Sequence, residues 1–186
     1  MTEPGDGRTR CPWADGSELM RGYHDSEWGR PLRGRTELFE RISLEAFQSG
    51  LSWLVILRKR AEFRRAFNGF DVDTVAAYTG ADVDRLMADA GIVRNRAKIE
   101  ATIANARAVA DLDTDLSGLL WSFAPPPRPR PAGVDDLPSQ TPESVALARE
   151  LRRLGFRFVG PTTVYALMQA TGMVDDHLRD CWVPAG

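Results

Sequence analysis

Along most of the chain apolar residues return at helical rather than strand intervals, broken by glycine, proline and short polar stretches. In "TELFERISLEAFQSG", Leu38, Phe39, Ile42, Leu44 and Ala46 predict a helix over about 36–49, with Gly50 ending it. Ser52 stands where a cap would open the next helix, "WLVILRKRAEFRRAF", which "NGF" closes. Short helices are expected at about 73–78 and 81–88. From about Arg94, "RNRAKIEATIANARAVADL" aligns Ile99, Ile103, Ala106 and Val109 on one face, and "LSGLLWSF" makes a further short helix.

The prolines at 125–127, 129 and 131 then stop the helical pattern. Residues 124–138 read as a stiff connector, with a proline-recognition ligand as the other reading. Thr141 and Pro142 carry the signature of a helix start, Gly155 closes that helix, and "GPTTVYALMQATG" forms another. "DHLRDCW" is expected to end the fold as a last helical turn. With no repeat and no strand ladder, the pattern predicts an all-α protein, one helical domain over 11–186 behind a flexible stretch at 1–10.

At 186 residues the chain is long enough for one well-buried domain. No apolar run approaches the length of a membrane span, and "MTEPGDGRTRCPWADG" has no apolar signal core, so an intracellular, cytoplasmic protein is expected. A net charge of −2 gives no support to a strongly basic nucleic-acid binder, although a local patch would suffice.

The two histidines and two cysteines divide between the chain ends: Cys11 with His24, and His177 with Cys181. His177 and Cys181 are four residues apart, so on a helix they would share one face. Cys₂His₂ is a closed ligand set for structural zinc, one that leaves no metal-bound water to activate. Twelve residues separate Cys11 from His24, and this spacing leaves ordinary buried residues open as the other reading. Asp175 or Asp176 would orient His177 or favour the start of the last helix.

Two further constellations carry chemistry. In "LMADAGIVRNRAKIEATIANARA" a turn at Gly91 joins two helices, with Arg94, Arg96 and Lys98 at the opening of the second. Free backbone N–H groups there suit a phosphate, as in a helix-hairpin-helix grip on DNA over about 81–110; a solvated hairpin is the other reading. Glu45 interrupts an apolar run, and Trp13, Tyr23, Trp28 and Trp53 supply aromatic faces. Together they would hold an extruded flat cationic base, while a solvent-facing glutamate beside core tryptophans remains open.

Taken in order, "YHDSEWG", "LFERISLEAFQSGLSW", "RKR", "DAGIVRNRAKI", "WSF", "FRFVGPTTVYALMQATGMVDDH" and the closing cysteine resemble the DNA-3-methyladenine glycosylase I family. The resemblance runs from about Cys11 to Cys181. It implies a helix-hairpin-helix glycosylase fold in which zinc, held by Cys11, His24, His177 and Cys181, ties the termini together. It also implies that Glu45 is the catalytic pocket glutamate that hydrogen-bonds the methylated adenine, Tyr23 a pocket tyrosine and Trp53 a base-stacking residue, with Trp13 and Trp28 lining or supporting the pocket. Gln48 and Leu51 fall where family members present a wedge to the duplex.

Departures from the family pattern are Met20 in place of a second pocket tyrosine, Ala46 and Phe47 after Glu45, and "GIVRNR" in place of the usual L-P-G hairpin. From Gly155 to Met173 there is no Asp, Glu or Lys to support a sugar cation or attack it. The expectation is therefore a monomeric, monofunctional glycosylase that hydrolyses the N-glycosidic bond of 3-methyladenine in double-stranded DNA. The rivals are a zinc-clipped DNA-binding module that cuts no bond and a structural all-α protein without DNA affinity.

Overall fold

The computed structural model describes residues 6–185, and among them nine α-helices and no strand. They are α1 (Glu18–Ser26), α2 (Arg35–Gln48), α3 (Trp53–Ala66), α4 (Val72–Ala76), α5 (Gly80–Ala88), α6 (Arg96–Ala110), α7 (Leu116–Trp121), α8 (Pro142–Arg153) and α9 (Pro161–Ala170). Helix α2 is the axis of the packing: residues from Leu38 to Phe47 are buried save one, so it is covered on all sides rather than along one stripe. Phe39, Phe47, Phe63, Phe67 and Phe70 are fully buried around it, and α3, α6, α7 and α9 pack against it.

Local chemistry explains most helix ends. Thr141 caps α8 by accepting the Ser144 N–H, with Pro142 in the first turn, and Gly155 follows that helix at φ +92°. Asn95 caps α6 by accepting from the Lys98 N–H, so α6 opens two residues later than the expected Arg94. Ser52 occupies the N-cap of α3 but makes no side-chain cap hydrogen bond.

The structure departs from the sequence reading at both ends of the chain. Helix α1 was not anticipated, because it is short and mostly polar; Ser17 caps it by accepting the Met20 N–H. Residues 175–182 form turns rather than a helix. The prior claim of Asp175 on the His177 N–H, at 3.3 Å, and of Arg130 on Asp175 holds this segment in an irregular path. Of the expected flexible stretch at 1–10, residues 1–5 lie outside the described residues. Residues 6–10 are tied down: Arg10 forks onto Asp6 and Asp25, and the Thr9 carbonyl accepts the Trp182 N–H at 2.9 Å.

The end of α9 is pressed against the segment joining α1 to α2. A Cβ at Gly172, whose φ is +73°, would lie 2.7 Å from backbone atoms of Arg30 and Pro31. Gly50 has a similar φ of +81° but open space around it. Gly172→Ala is therefore expected to cost about 3–5 kcal/mol in urea unfolding, and Gly50→Ala about 1–2 kcal/mol, from backbone strain alone. Equal losses would show that the close approach at Gly172 is not a packing contact.

Candidate functional site

Despite the missing helix, the two chain ends converge. The ligand atoms of Cys11, His24, His177 and Cys181 all lie within 4.8 Å of one another, and all four residues are buried. His177 Nδ1 is 3.8 Å from Cys11 Sγ and 3.5 Å from Cys181 Sγ, and His24 Nε2 is 3.5 Å from Cys181 Sγ. A tetrahedral site with ordinary Zn–S and Zn–N bonds requires S···N edges of about 3.6 Å, so the arrangement fits such an ion.

The far side of each imidazole is held. His24 Nδ1 meets Asp25 Oδ1 at 2.8 Å, and His177 Nε2 meets the Trp28 carbonyl at 3.2 Å, which turns the other nitrogen of each toward the thiols. The Leu178 N–H donates to Cys11 Sγ at 3.4 Å. Burial pushes the Cys11 thiol up to about 12 and the His177 imidazole down to about 4. A neutral histidine suits a metal ligand, and a divalent cation is the charge that would hold the buried thiols as thiolates. The expected role of Asp175 or Asp176 in orienting His177 is not met. Asp175 engages Arg130, Asp176 engages Arg128 and Gln169, and the carboxylate beside a ligand is Asp25.

The aromatic residues line a cavity of about 330 Å³ next to this cluster. Trp13, Met20, Tyr23 and Trp28 form one side, with Glu45, Gln48 and Trp53 from α2 and α3, Ala166 and Gln169 from α9, and Leu137 from the connector. Glu45 is only 5 % exposed, so the solvent-facing reading of this residue is excluded. Its carboxylate accepts no hydrogen bond from any described residue. Burial pushes it up to about 7, against the pull of the Arg41 guanidinium toward the charged form. Tyr23 accepts from Arg41 Nη1 at 2.8 Å, and burial raises its hydroxyl well above the ordinary value. Trp53 keeps a buried indole N–H with no partner among the described residues. The cavity thus offers flat apolar faces and a carboxylate with no hydrogen-bond partner among the described residues.

The residues expected to meet DNA separate into groups. Leu51 is 40 % exposed at the tip between α2 and α3, beside Gln48 and Ser49. Lys98 is buried instead: its ammonium donates to the Phe47 and Ser49 carbonyls at 2.9 and 2.6 Å. It closes the open C-terminal end of α2, so it does not face a phosphate. Arg96 pairs with Asp84 and Glu100, and a Cβ added at Gly91 would lie 3.0 Å from carboxylate oxygens of Asp89 and Glu62. Only Arg94 of the three expected cations is exposed without an ion pair among the described residues. A second tight turn, between α8 and α9, is less encumbered. Asn105, fully buried, grips the N–H and carbonyl of Arg157 at 2.7 and 3.1 Å. Arg157 and Phe158 are exposed there, and Phe158 adopts φ +55°.

The family model for methyladenine glycosylase matches residues 13–184. The chain belongs to this family. It is 44 % identical over 179 residues to a DNA-3-methyladenine glycosylase of Haemophilus influenzae, covering 93 % of this chain and 96 % of that protein. A crystal structure of 3-methyladenine DNA glycosylase I superposes with a TM-score of 0.91 at 42 % identity, over 94 % of this chain and 98 % of that one. A variant of a 3-methyladenine DNA glycosylase I in complex with 3-methyladenine gives 0.89 at 33 % identity, over 94 % and 97 %.

The geometry brings together one cluster and one cavity, yet several residues there carry no local sequence signal. Leu137, Ala166 and Gln169 line the pocket, and Arg41 stands behind Tyr23, only through tertiary packing. Asp25 had a signal, since it adjoins His24 in "YHDSEWG". Asp25→Ala is expected to weaken divalent-metal affinity about 10–100-fold in competition with a chromophoric chelator, because His24 loses the group that fixes its ring. Unchanged affinity would show that the ring is set by packing alone.

Proposed function

We propose that the protein is a monofunctional DNA glycosylase that removes 3-methyladenine from alkylated double-stranded DNA by hydrolysing the N-glycosidic bond, the first step of base excision repair. The observation that carries this is Glu45: a buried carboxylate with no described hydrogen-bond partner, facing an aromatic cavity of base size. A protein that merely binds duplex DNA has no use for such a cage, and this favours an enzyme over the binding module.

In DNA, 3-methyladenine is positively charged and is already a good leaving group. The nucleotide is flipped from the stack, and the ring enters between Trp13, Tyr23 and Trp53, with Trp28 supporting the wall. Glu45 accepts hydrogen bonds from the base and favours its charge; adenine is neutral and costs more to flip. Water attacks the anomeric carbon and the base leaves with the electrons of the glycosidic bond. No covalent intermediate forms. Lys59 and Lys98, the only lysines, both hold their ammonium groups on backbone carbonyls, and neither lines the cavity. Met20 presents a thioether where a hydroxyl would add a polar contact, so selection leans more on Glu45 and Tyr23.

Zinc is the proposed structural ion. Cys11, His24, His177 and Cys181 would fill its coordination, so it would close the chain and take no part in hydrolysis. One zinc per chain is expected, and Cys181→Ser should lose both the metal and several kcal/mol of stability. A stable, metal-free wild type would refute the clip.

Leu51, with Gln48, is the proposed wedge at the duplex. For the backbone grip we assign Arg94 at the first turn and Arg157 at the second, where the N-terminus of α9 has no side-chain cap. Arg157→Ala should weaken binding to any duplex and lower the salt dependence by about one phosphate contact, whereas Lys98→Ala should act on stability. The reverse pattern would restore Lys98 as a DNA contact. The working unit proposed is a monomer, acting on chromosomal DNA in the cytoplasm.

Base release from methylated duplex DNA tests the reading. Wild type should liberate 3-methyladenine, and Glu45→Gln should lose about tenfold to a hundredfold in kcat/KM, the equivalent of one charged hydrogen-bond interaction. DNA binding without base release, or a protein–DNA adduct trapped by borohydride, would contradict it.

A further inference from the structure

A cation is buried directly behind a pocket proposed to take a cationic base. Arg41 lies one helical turn before Glu45 on α2, is 8 % exposed, and is not among the residues lining the cavity. Its Nη1 donates to the Tyr23 hydroxyl, and its guanidinium faces the Tyr23 and Trp53 rings at 5.2 and 5.7 Å. Glu27, 3.6 Å away, offsets part of the charge and is itself held by Arg60 at 2.6 Å. For stability alone this is a poor choice, since apolar side chains of similar volume often replace buried ion pairs without loss. Toward the substrate its charge is repulsive. Both costs call for a compensating task.

Two polar groups of the pocket supply one. Arginine can only donate, so the Tyr23 oxygen must accept, and the hydroxyl proton has no acceptor among the described residues. Tyr23 borders this cavity and also a neighbouring hollow beside Glu27 and Arg60, and on the cavity side the proton would be left for the base. Glu45 lies in the last turn of α2, where the carbonyl end of the helix disfavours an anion. The charged and titratable groups around it are Arg41 on α2, Tyr23 on α1, Glu27 just beyond α1, Arg60 on α3 and Lys98 on α6. Lys98 is spent on carbonyls and Arg60 on Glu27, while α9 and the connector bring only Ala166, Gln169 and Leu137. Arg41 is thus the cation whose field eases ionisation of Glu45.

We propose that Arg41 is a positioning residue for base recognition, readying Tyr23 as a donor and Glu45 as an anion before the base arrives. The inference rests on the glycosylase reading of this pocket. In the complex the charge of the alkylated base takes over part of the task, so Arg41 matters most to the free protein.

The test is the pH dependence of 3-methyladenine release between about pH 6 and 9.5, for wild type, Arg41→Met and Arg41→Lys. In wild type kcat/KM should fall as pH drops through about 7, as Glu45 takes up a proton. Arg41→Met should move that limb upward by about one unit, a loss of about fivefold at pH 7 that approaches tenfold at pH 6 and is recovered at high pH, with a smaller change in kcat. Arg41→Lys should keep the wild-type limb. Arg41→Gln retains a donor to Tyr23 without the charge, and should show the displaced limb even where the Met variant does not fold. A uniform loss at every pH would assign Arg41 to folding and overturn the proposal, as would an unmoved limb in active Arg41→Met and Arg41→Gln. No release by wild type at any pH would overturn the glycosylase reading, and this proposal with it.

Discussion

Cys11 and His24 from the start of the chain meet His177 and Cys181 from its end, and their burial makes a shared cation the natural way to satisfy them. Much else is hung from that meeting. Trp13 follows Cys11 by two residues, Tyr23 precedes His24, and Trp28 holds His177 through its carbonyl. Three aromatic walls of the cavity are therefore placed by the same contacts that place the ligand atoms. Rings of Trp13, Trp28, His24 and His177 also meet edge to face at 4.7–5.2 Å, so cluster and cavity form one packed unit. Loss of the cluster would loosen the pocket without touching Glu45.

On the other side of the cavity the governing problem is charge. Helix α2 is buried all round, yet carries Arg41 and Glu45 one turn apart, and Lys98 from α6 covers the carbonyls at its end. Each charge has a partner or a task within the fold except the Glu45 carboxylate, which waits on the cavity side. A carboxylate left in that state costs stability, and such a cost is commonly retained where a ligand settles it. The absence of a nucleophilic lysine in the cavity is consistent with chemistry that relies on the weak bond of the alkylated nucleotide.

Helix positions were largely legible because caps and periodicity act locally. Thr141 with Pro142, Gly50 and Gly155 mark ends that tertiary packing leaves unchanged. The failures are where distant contacts decide. His177 and Cys181 keep the four-residue spacing of a helix face but converge through turns, since Asp175 and Arg130 claim the local backbone and side chains. Lys98 stands among exposed residues in the chain, and only the approach of α2 reveals that it points inward. In α1 only Leu19, Met20 and Tyr23 carry the apolar face, interrupted by Gly22, which is little to read without the Ser17 cap. The connector shows no sign of its task, yet its Arg128 reaches Asp176, its Pro131 carbonyl accepts from Arg179, and Leu137 closes the cavity.

The central claim is that this cavity is a base site formed in the protein before DNA arrives. Indole N–H resonances of the five tryptophans give the most direct measurement, as free 3-methyladenine is added to the DNA-free protein. The account predicts saturable shifts for Trp13, Trp28 and Trp53, little change at Trp121 and Trp182, and loss of the response in Glu45→Gln. Shifts confined to Trp121 or Trp182, or none at any concentration with the protein folded, would contradict it.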